Sequence, residues 1–353
     1  MRILVTGGAG FVGSNLCLAF KRDNPDAKVI AADNLKRRGS ELNLPRLRAA
    51  GVQFEHADIR DPNDIAALGP MDLLVECSAE PSVQAGYAGN PAYLVDTNLR
   101  GTLNCLEAAR THDATFVFLS TSRVYPIDPL RALPLETENN RLVLPSRATG
   151  AGWSGHGIAE DFPLAGHRSL YGATKLSSEQ FIEEYRAAFG LKAIINRCGV
   201  LAGPWQMGKV DQGFMSLWAA RHLYGGTLSY NGFGGLGHQV RDVLHVDDLY
   251  ELIALQLNKP ELALKDVWNV GGGKDNALSL KALTDACASR SGRSLNITSN
   301  PETNPADIPW FITDARQVSN AFNWHPKRTL DNLLDEVFEW LEAQRTLLEP
   351  LLK

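Results

Sequence analysis

The stretch RILVTGGAGFVGSN, residues 2–15, dictates much of what this chain can become. A short apolar run leads directly into Gly7, Gly10 and Gly13, at G-x-x-G-x-x-G spacing, and then into a helical pattern. Glycines so placed permit a tight turn, let backbone N–H groups approach a pyrophosphate, and let the helix pack closely on the strand with its N-terminus facing the anion. Twenty residues beyond Gly13, at the end of KVIAADN, stands Asp33. A carboxylate there accepts hydrogen bonds from both hydroxyls of an adenosine ribose and repels a 2′-phosphate, so the predicted cofactor is NAD. The cations Lys36, Arg37 and Arg38 could in principle hold that phosphate. Asp33 stands closer to the ribose and decides for NAD.

The strand–helix rhythm continues along the first half. KVIAADN, MDLLVECSA, TFVFLST and KAIINRCG read as buried strands. SNLCLAFKR, TNLRGTLNCLEAARTH and TKLSSEQFIEEYRAAFG, the last stopped by Gly190, read as helices. The pattern predicts an α/β fold: a Rossmann-type doubly wound parallel sheet with a smaller mixed α/β substrate-binding lobe. The dinucleotide-binding domain is expected over 1–198, with 239–258 returning to it, and the substrate-binding lobe mainly over 199–238 and 259–353. Residues 127–169, rich in Pro, Gly and polar side chains, read as a long insert or lid near the active site. TLDNLLDEVFEWLEAQRTLLE reads as one C-terminal helix.

Charge and composition narrow the function classes. The chain of 353 residues carries 35 basic and 40 acidic side chains, a net charge of -5, so there is no general field to attract nucleic acid. No window approaches ~20 unbroken apolar residues, and a strand begins directly at the N-terminus without room for a leader; a soluble cytoplasmic protein is expected, with no membrane partner. The cysteines at 17, 77, 105, 198 and 287 lack Cys-x-x-Cys spacing, and the histidines are scattered, so neither a disulfide framework nor a metal site is expected.

Two further motifs carry chemistry. YGATK places Tyr171 and Lys175 one helical turn apart on one face. A neighbouring ammonium stabilises phenolate, so Tyr171 could exchange a proton with a substrate hydroxyl while hydride passes to nicotinamide, and Lys175 could also hold the nicotinamide ribose. The strand end FVFLSTSRVYP spills Ser120, Thr121, Ser122 and Arg123 towards the same chemistry. In HADIRD, Asp58 and Ile59 could meet adenine through an acceptor and an apolar face, or simply close an ordinary turn.

As a set, TGGAGFVGS, Asp33, STSRVY and YGATK resemble the extended short-chain dehydrogenase/reductase family, from residue 1 to at least HQVRDVLHVDDL near 249. The resemblance implies that Thr121, four residues before the tyrosine of the V-Y step, hydrogen-bonds the substrate oxygen being oxidised. Arg241 would lie near nucleotide-sugar phosphates, with Asp247 structural. Asn98 matches a position associated with the central helix and the active-site tyrosine, a satisfied buried amide being an equal reading. Relatives that remove water from a nucleotide sugar place Asp and Glu directly after the threonine, and relatives that oxidise and decarboxylate a uronic acid keep the Glu. Here those places hold Ser122 and Arg123. The remaining economical chemistry is hydride removal, reorientation of the bound ketone and hydride return to the other face, which is epimerisation.

A narrower similarity rests on the basic residue before V-Y, the extended insert, VDQGF and GHQVRDVLHVDDL. These resemble the CDP-paratose 2-epimerase (CDP-tyvelose epimerase) branch, which inverts C2 of a nucleotide-linked deoxysugar through a 2-keto intermediate. Glu76 stands where the family has histidine, and Pro309 where relatives keep a phosphate-binding arginine. The resemblance implies catalytic Thr121, Tyr171 and Lys175. Around the cofactor it implies Gly7, Gly10, Phe11, Val12, Asp33, Asn34, Asp58 and Ile59, together with Ser78, Ala79, Asn98, Tyr171 and Lys175. Around a nucleotide-sugar substrate it implies Glu80, Ser122, Arg123, Gln212 and Arg241; the glycine-rich GTLSYNGFGGLGHQVRD could also bring Tyr230 to a nucleotide base, an ordinary glycine turn being an equal reading. The two long helices of the first half resemble a family dimer contact, so a homodimer is expected. A nucleotide-sugar 4-epimerase, a net dehydrogenase and a non-catalytic dinucleotide sensor remain the alternatives.

Overall fold

The computed structural model describes residues 1–353 apart from Ala88, Val210 and Asp211. The chain divides into two compact units. The first comprises Met1–Val124, Ser169–Arg197 and Leu249–Trp268; the second comprises Tyr125–Arg168, Cys198–Asp248 and Asn269–Lys353.

The first unit is built on strands β1 (Arg2–Thr6), β2 (Lys28–Asp33), β3 (Gln53–His56), β4 (Leu73–Glu76) and β5 (Thr115–Thr121). The seven-stranded sheet runs in the order Val267–Val270, Ala193–Cys198, β5, β4, β1, β2, β3. From β1 to β5 each neighbouring pair is parallel. The order reverses direction between β1 and β4, which is the switch point of a doubly wound sheet, where ligands meet the carboxyl ends of the strands. Both faces are dry. Leu4, Ile30, Leu74, Phe116 and Phe118 pack on Cys105, Leu106 and Ile182, while the alternate residues Ile3, Val5, Val29 and Val75 are buried too. Burial on both faces is why these strands read as continuous apolar runs.

Helix α1 (Phe11–Asp23) starts directly behind the glycine turn, with Gly10 as an N-cap that makes no side-chain bond. Gly7 has φ +64, and a Cβ there would stand 2.7 Å from the backbone carbon of Cys77. A Cβ at Gly13 would stand 2.2 Å from the carbonyl oxygen of Gly7. Only bare backbone permits helix and strand to come this close.

The second unit differs from expectation in two ways. Strand Val240–His245 pairs with Val200–Ala202, Ala277–Ser279 and Trp310–Phe311, so the return to the first unit begins at Leu249 rather than at 239. The segment 127–169 is not a bare loop. It holds helix Ile127–Arg131 and the strand pairs Glu136–Glu138 with Arg141–Val143 and Trp153–Ser154 with Gly157–Ile158. Ile158 donates its N–H to the Ile312 carbonyl at 2.8 Å, and its own carbonyl accepts from Asp314 N–H and Asn269 Nδ2, each at 3.0 Å.

The C-terminal helix is two helices, Leu330–Ala343 and Arg345–Leu352, parted at Gln344 (φ -108, ψ 19). Val337, Leu341, Leu348 and Leu352 are buried on both sides of the break at helical spacing, so periodicity alone shows no interruption.

A buried ion pair braces the first unit. Glu179, on helix Leu170–Phe189, accepts from Arg197 Nη2 at 2.7 Å and Nε at 3.1 Å, and also from the Ser120 hydroxyl. The side chains are 4% and 7% exposed. Removing one partner strands the other charge, so Arg197→Met is expected to lower stability by about 3–5 kcal/mol, whereas Arg197→Met with Glu179→Leu recovers most of that loss. Urea unfolding of the two variants beside the parent checks this.

Candidate active site

At the cofactor end, the geometry begins with Asp33. Its Oδ2 accepts from Ala9 N–H at 3.1 Å and its Oδ1 from Leu35 N–H at 2.8 Å. Burial raises its carboxyl above the ordinary range, against the pull of the Leu35, Ala9 and Gly10 amides. Phe11 and Val12 form the half-buried first turn of α1, and Ser78 and Ala79 follow β4 beside Gly7. Glycines that leave room for backbone alone, followed by a helix start and a carboxylate at the end of β2, fit an adenine dinucleotide.

Two cations near Asp33, Lys36 and Arg60, are engaged elsewhere. The Lys36 ammonium sits 3.3 Å from the ring centroid of Tyr93, and the Arg60 guanidinium 4.8 Å from the same ring. Arg60 also grips Asp58 at 2.6 Å, and Asn34 Nδ2 donates to that carboxylate at 2.9 Å. The Arg60 bond, with help from Asn34, holds the Asp58 carboxyl well below the usual carboxylate range. Ile59 is buried under Gly101, where a Cβ would stand 2.4 Å from its Cδ1.

The reactive motif is carried by helix Leu170–Phe189, opened by Ser169, whose hydroxyl accepts from Gly172 N–H at 3.1 Å. Tyr171 lies half-buried in the first turn, and Lys175 is buried with its ammonium 4.1 Å from the Phe118 ring centroid. Phe118 is on β5, three residues before Thr121. The helix packs on β5 and on the short 3-10 turn Ser122–Val124 that follows it. Thr121 is buried, and its Oγ1 accepts from Arg123 N–H at 3.2 Å. Thr121, Ser122, Arg123, Tyr171 and Lys175 are therefore carried by elements that pack on one another at one end of the sheet.

Asn98 holds this end together. It sits in a single π-helical turn, Asp96–Arg100, and is fully buried. Its Oδ1 accepts from Glu80 N–H at 2.7 Å, while Nδ2 donates to the Glu80 carbonyl at 3.0 Å and to Thr174 Oγ1 at 3.3 Å. Its backbone carbonyl accepts from the hydroxyls of Thr102 and Ser178. Its amide is thus committed to the Glu80 loop and to Thr174. It fixes the Glu80 loop and the start of the helix that bears Tyr171.

Three expected substrate residues belong to the second unit. Arg241 donates to Asp307 Oδ1 at 3.1 Å and to the Ile308 carbonyl at 2.6 Å. Tyr230 is buried, with its hydroxyl donating to Thr284 Oγ1 at 2.7 Å. Gln212 bridges back to Lys209; Val210 and Asp211 of the VDQGF motif lie outside the described residues. Pro309 helps to line a cavity of about 530 Å³ within this unit, with Arg131, Leu142, Phe233 and His238.

Two pairings escape the sequence reading. Glu179 and Arg197 come from different elements, and no local spacing marks them. Glu76 has a visible signal, a carboxylate inside an apolar strand, but its partner Thr102 does not. Among the described residues no cluster of His, Cys, Asp and Glu could hold a metal ion, and no helix is long and apolar enough to cross a membrane.

Comparison with known proteins supplies a family. CDP-paratose 2-epimerase of Salmonella typhi is 29% identical over 97% of this chain and 100% of its own. A dTDP-glucose 4,6-dehydratase of Salmonella typhimurium is 28% identical over 97% of this chain and 93% of its own. Among solved structures, dTDP-glucose 4,6-dehydratase from Bacillus anthracis in complex with NAD has a TM-score of 0.79 at 26% identity, covering 100% of both chains. UDP-glucuronic acid 4-epimerase from Bacillus cereus, in complex with UDP-glucuronic acid and NAD, has a TM-score of 0.79 at 25% identity over 97% of this chain and 99% of its own. Residues 3–271 match the model of one family, and the doubly wound sheet and glycine turn agree with it: the chain belongs to the NAD dependent epimerase/dehydratase family of enzymes.

Proposed function

We propose that this enzyme is a nucleotide-sugar epimerase that inverts C2 of a CDP-linked hexose through a transient keto intermediate on the sugar. The observation that carries the reading is Ser122–Arg123 directly beyond Thr121, where loss of water would call for a carboxyl acid to protonate the departing hydroxyl. The full-length similarity to a CDP-paratose 2-epimerase supports the choice of C2 and of a CDP-sugar.

On this reading Tyr171 takes the proton from the C2 hydroxyl and later returns it to the ketone oxygen. Lys175, one turn along the helix, favours the phenolate form and is steadied against the Phe118 ring. Thr121 donates its hydroxyl to the same sugar oxygen. NAD, when bound, would supply reversible hydride acceptance at C2, with return to the opposite face of the ketone. Gly7, Gly10, Gly13 and the first turn of α1 would hold its pyrophosphate, and Asp33 its adenosine ribose. Lys36, stacked on Tyr93, is already engaged by an aromatic face, which supports NAD over its 2′-phosphorylated form. We assign the diphosphate of the substrate to Arg241, which would exchange its Asp307 partner for phosphate oxygens. Phe181 and Phe189, exposed on helix Leu170–Phe189, support a homodimer through that helix, working in the cytoplasm.

Incubation with CDP-hexoses in deuterated buffer, followed by NMR, tests the reaction. The expected product is inverted at C2 and carries no deuterium there, because the same hydrogen returns. Inversion at C4 overturns the assignment of carbon, and accumulated NADH or loss of water overturns epimerisation. Tyr171→Phe is expected to lower kcat by about 10²–10⁴-fold with KM little changed, as steady-state rates will show. Asp33→Asn keeps an acceptor but loses the charge. Its preference for NAD over NADP, measured by cofactor titration, should fall by about ten- to a hundredfold.

A further inference from the structure

Glu76 ends β4 and is completely buried. Its register partners are Thr6 on β1 and Phe118 on β5. Partners on adjacent parallel strands stand about 4.8 Å apart with side chains on the same face. Helix Leu170–Phe189 covers that face and lays the Lys175 ammonium over Phe118. Helix Gly101–Thr111 adds Thr102 and Cys105. Among the described residues, the groups acting on this carboxyl are the Thr102 hydroxyl and a single charge, that of Lys175, with the Cys105 thiol beside it and Thr6 Oγ1, its strand neighbour, making no hydrogen bond. Burial, with Glu76 adding to it, keeps the thiol well above its ordinary value and neutral.

Hydrogen-bond arithmetic favours a proton on Glu76. The Thr102 hydroxyl has one hydrogen and two acceptors, Glu76 Oε1 at 2.7 Å and the Asn98 carbonyl at 2.8 Å. Both contacts are satisfied only when Glu76 donates to Thr102 Oγ1 and Thr102 donates to Asn98. The other carboxyl oxygen, Oε2, has no hydrogen-bond partner among the described residues. A bare charged oxygen in an apolar layer is the costlier form. Burial pushes this carboxyl up to about 7, with the Lys175 charge acting in the other direction.

We propose that Glu76 is a positioning residue for the Tyr171–Lys175 pair: neutral in the resting enzyme and, once its proton has left to solvent, an anion beneath Lys175 that competes with the Tyr171 phenolate for the ammonium. The idea rests on the reading of Tyr171 as the acid–base group. Its consequence is an internal ceiling on proton transfer. A carboxyl whose folded value is raised stays neutral below that value and charges above it, so phenolate formation grows harder as pH climbs past neutrality.

The test needs no sugar. Tyr171 is titrated by ultraviolet difference absorbance in the parent and in Glu76→Gln, with Tyr171→Phe subtracting the other tyrosines. Gln still donates to Thr102, so a merely structural role leaves the titration unmoved. The expected result is a Tyr171 midpoint lower by about one unit in Glu76→Gln. A midpoint equal to that of the parent overturns the proposal. Should Glu76→Gln fail to fold, infrared spectra of the parent labelled with ¹³C-carboxyl glutamate decide. One glutamate still protonated near neutrality is expected, and ionisation of every glutamate at ordinary acidic pH overturns the idea. A Tyr171→Phe enzyme still active on its sugar would instead sink the catalytic reading, while leaving the Glu76 titration standing.

Discussion

The site depends on how firmly helix Leu170–Phe189 is pinned to the carboxyl end of the sheet. On the proposed reading, Tyr171 and Lys175 need their helix to have one seat relative to Thr121 on β5. Glu179, Arg197 and Ser120 fix that seat from below by a buried, charge-assisted clasp, and Ser120 is the residue next to Thr121. Asn98 fixes it from the side through Thr174 and Ser178. The two devices differ physically. The clasp is specific because an unmatched charge there is severely penalised, and the amide is specific because its donor and acceptor are matched in direction.

The dinucleotide end works by subtraction. Gly7 and Gly13 matter for the atoms they lack, since any Cβ would collide with backbone. Asp33 is held by two backbone amides, which keep its carboxylate aimed beside the glycine turn. Two of the cations nearby are tied down, Lys36 on an aromatic ring and Arg60 on both that ring and a carboxylate.

Much of the fold was legible because parallel strands buried on both faces leave uninterrupted apolar runs, and because Gly7, Gly10, Gly13 and Asp33 mark one turn by spacing alone. YGATK was legible for the same reason, its two reactive residues being one turn apart. Pairings between distant elements were not. Glu179 meets Arg197 only after a helix folds back on the following strand, and Glu76 meets Thr102 only when β4 is covered. The unit boundary was misplaced because Val240–His245 has the composition of a core strand whichever sheet it joins. The break at Gln344 was hidden because the buried positions on either side keep a common phase.

The π-helical turn at Asp96–Arg100 leaves the Asn98 carbonyl as a meeting point for hydroxyls from two different helices. One peptide unit thereby works as a rivet through three segments of chain. The outer surfaces of those segments are free to diversify, for a new partner or a new neighbour, provided the rivet keeps its offset. Losing a single residue from that turn would be invisible from outside, yet it would loosen both helices at once.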